Sequence, residues 1–135
     1  MYLLDTSVLS VLIKAKTSET LLARLRQHPV GDLFTSCICV MELRHGAMRR
    51  QDTGSLWRRI EEEILPRVQV LDVGMEEALL AGDILAALRA RGQPIDVEDI
   101  LIGATAISHG LVVITNNLAH FRRIPRLRSE DWTSS

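Results

Sequence analysis

Lysine and aromatic rings are scarce in this chain. Lys14 and Lys16 are the only lysines among its 16 basic residues. The rest are arginines, which suit bidentate phosphate contacts, although genome composition produces the same bias. Aromatics make up 4% of the residues, which excludes extensive base stacking as a means of recognition. The only two cysteines, Cys37 and Cys39, form a C-x-C pair with no second pair to complete a zinc site. They read as small thiols in a reducing compartment. No H-x-x-x-H and no G-x-G-x-x-G occurs, which argues against a helical two-histidine metal site and a dinucleotide-binding loop. No apolar run reaches about 18 residues and no leader pattern opens the chain, so the expected location is the cytoplasm, away from membranes. Net charge is -1, so any basic surface is local. The 135 residues, 47% of them hydrophobic, fit a single domain spanning 1–135.

What is present alternates between two periodicities. Tyr2–Leu4, Asp32–Ser36, Val68–Leu71 and Leu111–Thr115 read as short strands, with a last short one expected at Arg126–Arg128. Helical patterns fill Thr6–Lys14, Thr20–Gln27, Ile38–Arg50, Ser55–Leu65, Met75–Ala90 and Asp96–His109. Gly92 and Gly110 stand where C-cap glycines belong, and Pro66 closes the fourth helix. Strand and helix in alternation predict an α/β fold, a central mainly parallel sheet flanked by helices.

Ligands of such sheets bind beyond the C-terminal strand ends, and acids gather there. Asp5 directly follows the first strand, Glu42 lies on the helix after the second, and Asp99 lies near the start of the Asp96–His109 helix. Each has a structural reading. Asp5 can cap the first helix, Glu42 can be a solvated helix residue, and Asp96 with Asp99 resembles a capping box. Asp99, however, sits on a helix that is apolar nearly all round, with Glu98, Thr105 and His109 as its narrow polar face. A buried carboxylate needs a partner, and no arginine or lysine is near it in sequence. If the three acids converge, two carboxylates about 4 Å apart repel by about 4 kcal/mol at an effective dielectric near 20. A divalent cation removes that repulsion, and an all-oxygen donor set selects a hard one, Mg²⁺ or Mn²⁺.

Four motifs in order resemble PIN-domain ribonucleases, most closely the VapC-type toxins of bacterial toxin–antitoxin pairs. They are L-L-D-T-S-V-L at the start, T-S-x-x-x-x-M-E-L (Thr35 to Leu43), R-G-Q-P-I-x-x-x-D-x-L-I-G-A-T-A (Arg91 to Ala106) and H-G-L-V-V-I-T-N-N-L-x-x-F (His109 to Phe121). The resemblance spans essentially the whole chain. It implies a PIN-like fold, acids that bind Mg²⁺ or Mn²⁺, and endonucleolytic cleavage of RNA, transfer RNA being the commonest target class. Asp5, Glu42 and Asp99 fall on the family's acids, and Thr6, Ser36 and Thr115 on its hydroxyl positions. Asp96 joins them as a supporting residue. Three positions depart: Asn117 and His120 stand where the family often has a further acid, which leaves a second metal open, and Ser7 stands where asparagine is common, a milder change.

On this resemblance Asp5 and Asp99 hold the cation and Glu42 orients or deprotonates water. Asn117 supports through a carbonyl or a bridging water. His120, Arg122 and Arg123 are candidates for RNA contact, with Arg126 and Arg128 behind them and Arg44, Arg49 and Arg50 on the Glu42 helix. Implied partners are RNA, a cognate VapB-type antitoxin and a second copy of the chain. Operator DNA is reached only through the antitoxin. Leu9, Leu12, Leu21 and Leu22 offer apolar surface for a dimer. A competing reading is a degenerate PIN domain that binds antitoxin and RNA without cutting, which Asn117 and His120 favour. A phosphotransfer α/β domain fits less well: D-T-S lacks the D-x-D of haloacid phosphatases, and Asn116 and Asn117 replace a response regulator's lysine.

Overall fold

The computed structural model describes residues 1–14, 18–50 and 54–133. Five strands form one sheet: β1 (Tyr2–Leu4), β2 (Leu33–Ser36), β3 (Gln69–Leu71), β4 (Val112–Ile114) and β5 (Ser129–Glu130). Their order is β3-β2-β1-β4-β5, and every pair is parallel. Among the described residues seven α-helices accompany them: α1 (Thr6–Leu12), α2 (Glu19–Arg26), α3 (Cys37–Met48), α4 (Ser55–Arg59), α5 (Met75–Ala90), α6 (Val97–His109) and α7 (Leu118–Phe121). The expected α/β architecture is therefore present, with a wholly parallel sheet. Among the described residues no helix is long and apolar enough to cross a membrane.

The core runs through the centre of the sheet. Leu3, Leu4, Val113 and Ile114 are all but fully buried, as strands covered on both faces must be. Helix α6 packs mainly on α5 and buries Ile100, Ile102, Ala104 and Ala106. At Gly103 a Cβ would stand 2.6 Å from Ile124 Cδ1, so glycine permits the close approach of the segment after α7. Trp132 is buried near the chain's start, its ring 4.8 Å from Tyr2 and stacked 5.0 Å from His28.

Several expectations need correction. The Ser55–Leu65 segment is not one α-helix. It widens after Arg59 into a π-turn at Ile60–Ile64, then tightens into a 3₁₀ turn at Leu65–Arg67 that accommodates Pro66. The last strand is Ser129–Glu130 rather than Arg126–Arg128, because Arg126 adopts a left-handed φ of 66° that no strand allows. Thr105 is not on a polar face: it is buried, and its Oγ1 donates to the Leu101 carbonyl at 2.8 Å. Leu9 and Leu21 belong to the core and offer no surface to a partner; only Leu12 and Leu22 remain partly exposed. Both cysteines are free thiols, and burial pushes the Cys39 thiol up to about 11.

Candidate active site

The chain runs from β1 outward to β2 and β3, then returns past β1 to β4. The two halves of the sheet diverge between β1 and β4, and the crevice beyond their C-terminal ends is where an open parallel sheet binds ligands. Asp5 stands there. Its backbone N–H donates to Ile114 O at 3.0 Å, which extends the β1–β4 ladder by one rung. Its side chain then turns back: Oδ1 accepts from Val8 N at 3.3 Å and from Ser7 Oγ at 2.6 Å, and Oδ2 accepts from Thr115 Oγ1 at 2.7 Å. The helix-cap reading of Asp5 is thus correct and does not exhaust its role. The group is 4% exposed. Burial raises its pKa above the usual carboxylate value, the Asp99 charge raises it further, and the Ser7, Thr115 and Val8 hydrogen bonds only oppose the shift.

Two hydroxyls carry this arrangement outward. Ser7 Oγ and Thr115 Oγ1 each direct their one proton to Asp5. Their lone pairs receive the backbone N–H of Asn116 at 3.0 Å and of Asn117 at 2.8 Å. The loop after β4 is therefore hung on the aspartate at the end of β1. The hydroxyls' mutual 3.5 Å contact has no proton left to share.

Glu42 arrives from α3. Ser36 starts that helix, its Oγ accepting from Ile38 N at 3.0 Å. Ser36 acts on the site as a helix cap and is fully buried. Thr6 Oγ1 donates to Glu42 Oε1 at 2.7 Å and ties α1 to α3. The Glu42 pKa is raised, first by burial, then by the charges of Asp99, Glu98 and Asp5.

Asp99 finds its partner 21 residues away. Its Oδ2 lies 3.0 Å from His120 Nδ1, which also stands 2.8 Å from Asn117 Nδ2. One ring nitrogen carries either a proton or a lone pair. With Asp99 ionised, Nδ1 bears the proton and the Asn117 amide presents its oxygen instead. The Asp99 pKa is raised by burial, against the hydrogen bond and charge of His120, with Asp96 and Glu98 adding to the rise. Asp96 itself is exposed at the N-cap of α6 and makes no side-chain cap bond there, so the expected capping box is absent. Arg123 Nη1 donates to Pro94 O at 3.0 Å, bracing the loop that leads into α6, while Arg122 is exposed.

The structure thus brings Asp5, Glu42 and Asp99 within reach of one another's charge and surrounds them with Thr6, Thr115, Asn117 and His120. Ser7, noted in sequence only as a substitute for the family's usual asparagine, is the supporting hydroxyl that sequence reasoning missed. Among the described residues no three His, Cys, Asp or Glu side chains already stand close enough to hold one ion. The fit to a hard divalent cation therefore lies in donor chemistry: three carboxylates of raised proton affinity within reach of one another's charge.

A profile described as "PIN domain" matches residues 2–127. The chain belongs to the PIN-domain family. Within it, 131 residues are 36% identical to Ribonuclease VapC2 of Haemophilus influenzae, covering 97% of both chains. The tRNA(fMet)-specific endonuclease VapC of Salmonella typhimurium is also 36% identical over 131 residues, again 97% of each. Among solved structures, DNA-bound VapBC from Salmonella typhimurium matches with a TM-score of 0.89 at 36% identity over 97% of each chain. The resemblance seen in the motifs is thus a VapC-type PIN domain, and the enzyme class is nuclease.

Proposed function

We propose that this PIN domain is the ribonuclease toxin of a toxin–antitoxin pair and hydrolyses RNA phosphodiesters at Asp5, Glu42 and Asp99 with Mg²⁺, for which Mn²⁺ can substitute. The observation that carries the reading is that Asp5 after β1, Glu42 on α3 and Asp99 on α6 lie within reach of one another's charge, each with its pKa raised by burial and by neighbouring acids. Asp5 and Asp99 would hold the cation, with Glu42 as ligand or through water. A bound divalent cation polarises a phosphate oxygen and lowers the pKa of water. Glu42, held by Thr6, would accept a proton there, and its raised proton affinity suits a base. His120 is fixed through Nδ1, and Nε2 would donate to a phosphate oxygen only in the doubly protonated ring. Exposed Arg122 can guide the backbone, whereas Arg123 acts through the loop before α6. Transfer RNA is the substrate class, by likeness to the tRNA(fMet)-specific relative. A VapB-type antitoxin would inhibit the chain and carry operator DNA contacts, as the VapBC complexes suggest. The chain would act in the cytoplasm as a dimer or with its antitoxin.

A non-cutting binding module is the second reading, favoured by Asn117 and His120 where a further acid is common. One experiment separates the two: antitoxin-free chain incubated with total transfer RNA, with and without Mg²⁺, beside Asp99→Asn. Metal-dependent fragments that vanish in the variant support the nuclease. A protein that binds RNA and never cuts it supports the module.

A further inference from the structure

A trough of about 540 Å³ opens beside Glu42, between α1, α3 and α4. Thr6 and Glu42 are among its lining residues, so it borders the acid site at Glu42. Its floor is apolar, with Ile13, Leu43, Leu56 and Ile60. Its other charged lining residues are all cations: Lys14, Arg50 and Arg59. Arg59 Nη2 donates to Ile13 O at 3.1 Å and its Nε lies 3.6 Å from Glu63, which holds α4 as a wall against the end of α1. Arg50 is exposed at the end of α3. Gly46, one turn beyond Glu42, leaves the trough open: a Cβ there would meet nothing within 4 Å.

We propose that this trough is a nucleotide subsite, which takes the base and ribose of the residue next to the phosphate at Asp5, Glu42 and Asp99. The proposal rests on the ribonuclease reading for the position of that phosphate. The volume falls in the range that encloses small organic ligands. The division of labour is what a nucleotide asks for: an apolar floor under the base, and arginine forks at the rim for the flanking phosphates. Electrostatics favour one direction of entry. Among the lining charges Glu42 repels an anionic chain, whereas Lys14, Arg50 and the partly neutralised Arg59 attract it, so RNA would enter from the α4 side. With few aromatics available, this apolar floor would supply the base contact that stacking supplies elsewhere.

The test fills the trough without disturbing the fold. Gly46→Leu adds a helix-favouring side chain into empty space, and Gly82→Leu, on α5, is its control because a Cβ there also meets nothing. Both are compared with wild type and Arg50→Ala in binding a fluorescent 2′-O-methyl RNA oligonucleotide, read by anisotropy across a salt series, and in cleaving transfer RNA. Gly46→Leu is expected to weaken binding about tenfold or more, with an unchanged or higher Tm, while Gly82→Leu binds normally. Arg50→Ala is expected to flatten the slope of log K against log salt by about 0.7, the share of one single-strand phosphate. Should Gly46→Leu misfold, that slope decides. Wild-type affinity in Gly46→Leu, or no oligonucleotide binding by wild type, overturns the subsite. So does intact RNA binding with lost antitoxin binding, which hands the trough to a protein partner. If wild type binds but never cuts, and Gly46→Leu abolishes binding, the subsite stands and the nuclease reading falls.

Discussion

Asp5 accepts three hydrogen bonds and still holds its proton more tightly than an ordinary carboxylate, because burial outweighs the donors. Those donors orient the group more than they ionise it. Removing one should therefore act on function more than on stability. Thr115→Val deletes the proton on Oδ2 and the acceptor for Asn117 N–H. Cleavage is expected to fall about 10- to 100-fold, the usual cost of losing a ligand's outer partner, with a stability loss of about 1–3 kcal/mol. Cleavage kinetics beside urea unfolding would separate the two.

The raised pKa values of Asp5, Glu42 and Asp99 also carry a sign for stability. The native protein binds protons at these acids more readily than the unfolded chain does. Their stabilising contribution is full below the unfolded values near 4 and is lost as pH rises through the higher folded values. In chelator at about pH 7, Asp5→Asn should therefore melt at or above wild type, and that advantage should disappear near pH 4. Thermal melts at the two pH values check this. An Asp5→Asn protein equally destabilised at both would mean its hydrogen bonds dominate over its charge.

Among the elements, α6 shows what a pattern can and cannot reveal. Its apolar composition already implied a buried helix and an acid in need of a partner. It did not reveal His120, which reaches Asp99 from α7 only once α7 packs against α6. The fit of this helix depends on Gly103. Gly103→Ala presses on two side-chain ends, Ile124 Cδ1 at 2.6 Å and Leu127 Cδ2 at 3.3 Å, and their displacement offsets a helix-propensity gain of about 1 kcal/mol, so the change should be near neutral. Gly103→Val cannot be absorbed so easily and should cost about 1–3 kcal/mol, with lowered cleavage because Asp99 moves with the helix. Chemical denaturation measures the first and activity per folded molecule the second. The split of Ser55–Leu65 was not legible from its amphipathic spacing, since a π-turn keeps apolar residues on one side while changing the bond pattern.

For the whole molecule, the acids are held against their own repulsion by folding, so a cation that neutralises them should return that free energy as stability. Wild type is expected to gain about 2.7 kcal/mol at a hundredfold excess of Mg²⁺ over its Kd, visible as a rise in Tm. Asp99→Asn should lose most of that gain. An equal shift in both proteins would place the cation elsewhere.

The sequence by itself determined the alternation of strands and helices, the buried character of β4 and α6, and the positions of Asp5 and Asp99 at element ends and of Glu42 on the helix after β2. These are local properties, set by periodicity, caps and breakers over a few residues, and they gave way where the Ser55–Leu65 helix splits, where α7 forms and where the last strand begins. The tertiary structure alone decided which ends meet. The order β3-β2-β1-β4-β5 sets Leu4 beside Ile114, and so Asp5 beside Thr115, 110 positions apart. It likewise decided that Thr6 serves Glu42 and His120 serves Asp99. Parallel pairing joins segments distant in the chain, and its register follows from packing both faces of the sheet at once. No short stretch of sequence contains that information.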